Sequence, residues 1–196
     1  MAQETIEKSL LNPKVLGTVA ILGSPMMLIE FLLEQGGGLP GGQFGRVEGA
    51  LGIIYLIGFL SSALGLRILK ATGKGTLAAV LFWIQIIGLS LAACQSILQM
   101  IGRADSSNRF FRIADAAWPL SHVFLLVIGI AVLFAKMWSG WRRLTPFFCG
   151  IALPLALGAG AAGGRESLGA AFGILTATSF MLLGCAIRTS GGRTNK

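Results

Sequence analysis

The sequence predicts an all-α membrane protein, a bundle of six transmembrane helices with both termini in the cytoplasm. Of its 196 residues, only 12% are charged and 54% are hydrophobic, and the mean hydropathy is +0.77. Soluble domains carry about 25% charged residues. The apolar residues form six runs that approach the roughly 20 residues needed for a helical span, without the alternation of membrane strands. We therefore interpret the chain, 1–196, as a single integral membrane domain.

The first three spans are predicted over about 14–34, 48–68 and 76–101. Asn12 stands directly before Pro13, which places a capping side chain ahead of a proline at the first helical position. The stretches QGGGLPGGQFG and ATGKG separate these runs and are rich in turn-forming residues. Each apolar run therefore has a local signal for where the helix stops.

The last three spans are predicted over about 115–136, 145–163 and 167–187. Asp115 is the predicted N-cap of the fourth helix, and Ser167 that of the sixth. The connections RADSSN, SGW and GGRES carry further turn residues. The leftover loops are too short to hold a soluble domain.

The Lys and Arg residues predict the orientation. Eleven of the sixteen fall at the termini and in the two loops that share one side of a six-span chain, and five fall on the other side. Because cytoplasmic loops are enriched in bases, both termini are predicted to be cytoplasmic, in a plasma membrane or a bacterial inner membrane. Six of the eight acids lie in the outer half or outside, namely Glu30, Glu34, Glu48, Asp105, Asp115 and Glu166.

Polar side chains recur at a similar depth on four of the predicted helices. Gln95 and Gln99 share one face of the third helix, and Asp115, Trp118 and His122 share one face of the fourth. Polar groups are costly in hydrocarbon and normally face the bundle interior or water. We therefore predict one pocket that opens to the outside. Its predicted lining is Glu30, Glu48, Tyr55, Gln95, Gln99, Asp115, Trp118 and His122.

Each of these residues also has a purely structural explanation. Asp115 caps a helix, Trp118 anchors at the membrane interface, and His122 hydrogen-bonds to a neighbouring helix. Their shared depth is what favours a pocket over separate structural roles.

Three functions compete at this point. The favoured one is binding or transport of a small solute or of protons. The alternatives are a structural subunit or scaffold of a membrane complex, and an enzyme that modifies lipid at the outer leaflet with an acid and His122 as acid and base. The chain has no nucleotide-binding or zinc-protease motif. We expect no catalytic residue, no metal and no cofactor, and an enzyme is the less favoured reading.

The predicted partners follow from the same patterns. The lipid bilayer is the first, and a small solute the second. The net charge of +8 lies in short loops between apolar runs, which indicates membrane topology and not nucleic-acid binding. Gly169 and Gly173 form a small-x-x-x-small pattern, which predicts a close helix contact and possible association with another chain.

Overall fold

The computed structural model describes residues 11–37 and 45–190, and within those ranges every regular element is a helix. The chain segments 1–10 and 191–196, which contribute to the predicted orientation, lie outside the described residues. The helices are α1 Pro13–Gly23, α2 Met26–Gln35, α3 Arg46–Ile68, α4 Thr76–Met100, α5 Arg109–Ala135 and α6 Thr145–Ser190, with a 3-10 turn at Gly140–Leu144.

Five helical stretches are long and apolar enough to cross a membrane. In this count α1 and α2 form one stretch, Pro13–Gln35, and the turn and α6 form another, Gly140–Ser190. Large apolar side chains cover the outside of the bundle; Phe134 is 80% exposed and Leu77 69% exposed. Such an apolar exterior fits contact with lipid.

The first predicted span is divided at Ser24 and Pro25. Asn12 caps α1, its Oδ1 accepting from the backbone N–H of Lys14 at 2.9 Å. Pro25 has no N–H to donate to the carbonyl of Ile21, four residues earlier. The hydroxyl of Ser24 donates to that carbonyl instead, at 2.8 Å. The chain can therefore bend here without leaving an unpaired carbonyl in an apolar surrounding.

The fourth predicted helix begins six residues earlier than the sequence indicated. Asn108 is its N-cap, with Oδ1 accepting from the backbone N–H groups of Phe110 and Phe111 at 2.8 and 3.4 Å. The prediction that Asp115 caps this helix is therefore wrong, because Asp115 lies almost two turns inside α5. Pro119 is consequently in the helix interior, where it cannot donate to the carbonyl of Asp115.

The long helix α6 reverses direction at Gly164. This residue has φ 78° and ψ −168°, a conformation that favours glycine. A Cβ placed on Gly160 would lie only 2.9 Å from the Cβ of Leu168, although eight residues span about 12 Å of a straight helix. The chain therefore folds back on itself, and α6 consists of two arms, 145–163 and 165–190.

The helical segments close into a ring. The α1–α2 unit packs on α3, α3 on α4, α4 on α5, α5 on α6, and α6 on the α1–α2 unit. Phe59 of α3 and Phe180 of α6 meet in the centre with ring centroids 4.7 Å apart, and each is 1% exposed. All six acids among the described residues lie at the end of the ring that contains Gly164, which we call the acidic end.

Glycines allow α1 and α2 to lie directly against the second arm of α6. A Cβ on Gly184 would lie 2.7 Å from the carbonyl oxygen of Gly17. Gly173 packs against the backbone of Leu28, and Gly169 packs against the ring of Phe31. The contacts of these two glycines are thus made within this chain, and the association predicted through them stays a prediction.

The variant Gly184→Ala should lower the melting temperature of the detergent-solubilised protein by several degrees. Its new methyl group forces two backbones apart, and overpacking of this kind costs about 1–3 kcal/mol. Gly158→Ala is the matched control, because a Cβ on Gly158 meets nothing within 4 Å. A melting temperature for Gly184→Ala equal to that of Gly158→Ala would contradict the close contact.

Candidate functional site

A cavity of about 260 Å³ opens at the acidic end of the ring. The α1–α2 unit, α3, α4, α5 and α6 all contribute to its wall. Its lining residues are Met27, Glu30, Phe31, Glu34, Glu48, Gly52, Gln95, Ser96, Gln99, Asp115, Trp118, Gly169 and Phe172. Four of these are acids, and no described Lys or Arg is among them.

The structure brings six of the eight predicted pocket residues to this cavity. They are Glu30, Glu48, Gln95, Gln99, Asp115 and Trp118. The other two, Tyr55 and His122, do not line it and lie buried in the adjacent core, at 1% and 0% exposure. They follow the same helical faces, one or two turns further into the bundle, so the faces were identified but the depth of the cavity was not.

Close packing of α3 on α4 sets the position of Glu48. A Cβ on Gly49 would lie 2.5 Å from the backbone nitrogen of Met100, and one on Gly52 would lie 2.9 Å from the hydroxyl oxygen of Ser96. Because both positions lack a side chain, Glu48 is held beside Gln99. The Nε2 of Gln99 donates to Oε1 of Glu48 at 3.4 Å.

One buried acceptor atom at the cavity lacks a donor. Oε2 of Glu48 is buried and has no hydrogen-bond partner among the described residues. A buried acceptor without a donor costs about 1–3 kcal/mol. Gln99, which also lines the cavity, uses its Nε2 towards Glu48, so its carbonyl oxygen is available to a ligand in the cavity. The two atoms therefore favour a bound group that supplies protons for hydrogen bonding.

Aromatic rings form the apolar wall of the cavity. Trp118 and Phe172 both line it, with ring centroids 5.1 Å apart. Phe31 is a third ring, directly after Glu30 in the chain. Phe31 and Phe172 were not predicted from the sequence, because an apolar residue in an apolar helix gives no signal that it faces a cavity.

Trp118 links the cavity to the buried pair Tyr55 and His122. Its ring centroid lies 4.7 Å from that of His122. The hydroxyl of Tyr55 is 2.8 Å from Nε2 of His122, and Nδ1 of His122 is 3.1 Å from the carbonyl oxygen of Trp118. Because a carbonyl can only accept, Nδ1 carries the proton, and Nε2 accepts from Tyr55. A neutral imidazole satisfies both contacts.

A salt bridge marks the outer rim. Nη2 of Arg165 lies 2.9 Å from Oε1 of Glu34, and both side chains are largely exposed, at 73% and 50%. Exposed pairs of this kind contribute about 0–1 kcal/mol. A neighbouring cavity of about 430 Å³ shares Glu30, Glu48 and Trp118 and extends to Arg165. The two spaces form one cleft. Within it, Glu34 is the acid whose charge is paired with a base, Arg165.

The remaining acids of this end are not part of the cavity. Asp105 lies in the loop before α5, where the N–H and hydroxyl of Ser107 donate to its Oδ1 at 2.9 and 2.7 Å. These hydrogen bonds lower the pKa of Asp105 below its usual range. Glu166 is exposed beside Gly164 and does not line the 260 Å³ space.

The described residues contain no group of three or more His, Cys, Asp or Glu arranged to hold a metal ion. The acids of the cavity surround a space and do not converge on one point.

Comparisons with protein-family models, with curated proteins and with solved structures give no match.

The variant Tyr55→Phe should destabilise the protein by about 1–3 kcal/mol, because it leaves Nε2 of His122 buried without a donor. Unfolding in detergent, followed by intrinsic fluorescence, measures this. The double variant Tyr55→Phe, His122→Leu should show coupling between the two positions, of roughly 0.5–3 kcal/mol for groups in contact. Strictly additive losses would mean that the two side chains do not interact.

Proposed function

We propose that this chain is a six-span membrane protein that binds a small solute in the cleft at its acidic end. The observation that carries the proposal is the convergence of polar side chains from several helices on one open cavity, inside a bundle whose exterior is apolar. Polar groups at membrane depth are rare and mark binding sites or pathways.

The reversal at Gly164 supports six crossings in place of five. Each arm of α6 has about the length of one span, and the two arms together are too long for a single crossing. With six crossings, the basic end of the ring would face the cytoplasm. Its described bases are Lys14, Arg67, Lys70, Lys74, Lys136, Arg142, Arg143 and Arg188. The cleft would then open to the outside.

Specific contacts favour the binding of a solute over the two alternatives, a lipid-modifying enzyme and a scaffold. A lipid-modifying enzyme would use His122 with an acid of the cleft, but His122 is fully buried and engaged by Tyr55 and Trp118. A scaffold would present its polar stripe to another chain, but Gln95 and Gln99 are buried within this one, at 7% and 3% exposure.

Transport of the solute would require the core below the cleft to move. Tyr55, Phe59, Phe180 and His122 are each at most 1% exposed and separate the cleft from the basic end. The bend at Pro25 places Glu30 on a short helix of its own, α2, which is the segment best placed to move relative to the ring.

Access from outside is testable with a cationic, membrane-impermeant methanethiosulfonate that carries a trimethylammonium group. In a background without Cys94, Cys149 and Cys185, the variant Glu30→Cys should react in intact cells, because Glu30 lines the cleft and is only partly buried. Ser62→Cys is the matched control and should stay unreactive. Ser62 is 1% exposed, and its hydroxyl donates to the carbonyl of Gly58, away from the cleft.

Two outcomes would contradict the proposal in different ways. Reaction of Glu30→Cys only in inverted vesicles would reverse the proposed orientation. Equal, slow reaction of Glu30→Cys and Ser62→Cys in both preparations would mean that no open cleft exists.

A further inference from the structure

The charge of the cleft restricts the class of solute. Glu30, Glu48 and Asp115 line it without an ion pair to any described residue, whereas Glu34 has Arg165. Once ionised, three carboxyl groups around one small space repel an anion. They attract a cation more strongly than they would in water, because the apolar walls lower the local dielectric.

The hydrogen-bonding capacity of the cleft points to a cation with several N–H donors. Oε2 of Glu48 is buried without a partner, and the carbonyl oxygen of Gln99 is also unengaged by any described residue. With Glu48 ionised, both atoms are acceptors only. An ammonium group has three donors, so it can serve these two acceptors and a third oxygen together. A quaternary ammonium has no N–H and would leave them unpaired.

The rest of the solute should be apolar and small. Phe31, Trp118 and Phe172 supply aromatic faces, against which a cation and its attached carbons pack favourably. The space that these three rings border has a volume of about 260 Å³, below the usual range for drug-sized ligands, roughly 300–1,000 Å³, and the cleft continues from it into the 430 Å³ space towards Arg165. It is also far larger than a proton site needs, and no metal-binding group of acids is present among the described residues.

From these three observations we propose that the cleft binds a small primary amine in its protonated form. Its ammonium group lies between Glu48, Gln99 and Glu30, and its apolar body packs on Trp118 and Phe172. This inference rests on the proposed function, because it names the solute class of the same cleft.

The test compares three probes that share one carbon skeleton. The purified full-length protein in detergent is titrated with 3-methylbutylammonium chloride, with 3-methylbutan-1-ol and with sodium 3-methylbutanoate, and its melting temperature is followed. The amine should raise the melting temperature saturably, whereas the alcohol and the carboxylate should not. Equal effects of amine and alcohol, or a saturable effect of the carboxylate alone, would overturn the proposal.

Matched variants show whether the amine binds in the cleft. Glu48→Gln and Glu30→Gln should each weaken amine binding about 10-fold, the loss expected for one hydrogen bond to a charged group. Glu166→Gln removes the same charge at the same end but outside the cavity, and it should bind the amine as the unmodified protein does. Binding that survives both cleft substitutions would overturn the assignment. If one of them does not fold, the comparison of the three probes still decides.

Failure of this inference is distinguishable from failure of the proposed function. If Glu30→Cys reacts with the external reagent but no amine binds, the cleft exists and the solute class is wrong. If Glu30→Cys is also unreactive, both proposals fall.

Discussion

The structure depends on the hydrogen-bonding and charge requirements of a few polar side chains in a largely apolar bundle. A polar group that faces hydrocarbon lacks partners, so it must turn towards the interior of the ring or towards water. Here Gln85, Gln95 and Gln99 of α4 all point inward, each at most 7% exposed. Their helix presents apolar residues to the outside, such as Leu77 and Trp83.

The polar groups that point inward form two sets: a closed set, which is buried in the core, and an open set, which borders the cavity. Tyr55 and His122 satisfy each other in the core, where no space is left around them. About two turns towards the acidic end, Glu48 and Gln99 have more acceptors than donors and border an open space. Trp118 belongs to both sets. Solute in the cleft would therefore contact a ring that packs directly on His122, which couples occupancy of the site to the core.

Apolar runs and polar spacing were enough to predict an all-α chain and six of the thirteen residues that line the cavity. The helical faces of Gln95, Gln99, Asp115 and Trp118 follow from a period of 3.6 residues. The start of α5 was missed because Asn and Asp are about equally good caps, and here the helix begins at the earlier one, Asn108, and continues through two phenylalanines. The exclusion of Tyr55 and His122 from the cavity depends on how tightly Phe59, Phe172 and Phe180 fill the core. Such packing is a tertiary property that no single helix encodes.

The claim that polar faces converge on a water-accessible cleft is tested most directly on α2. Glu30 lines the cleft, and Leu32, two residues on and about 200° around the helix, is 58% exposed on the outside. Nitroxide labels at the two positions are compared in liposomes by collision with a water-soluble nickel chelate and with oxygen. The account predicts that the label at position 30 favours the chelate and the label at position 32 favours oxygen. Preference for oxygen at both positions would contradict it.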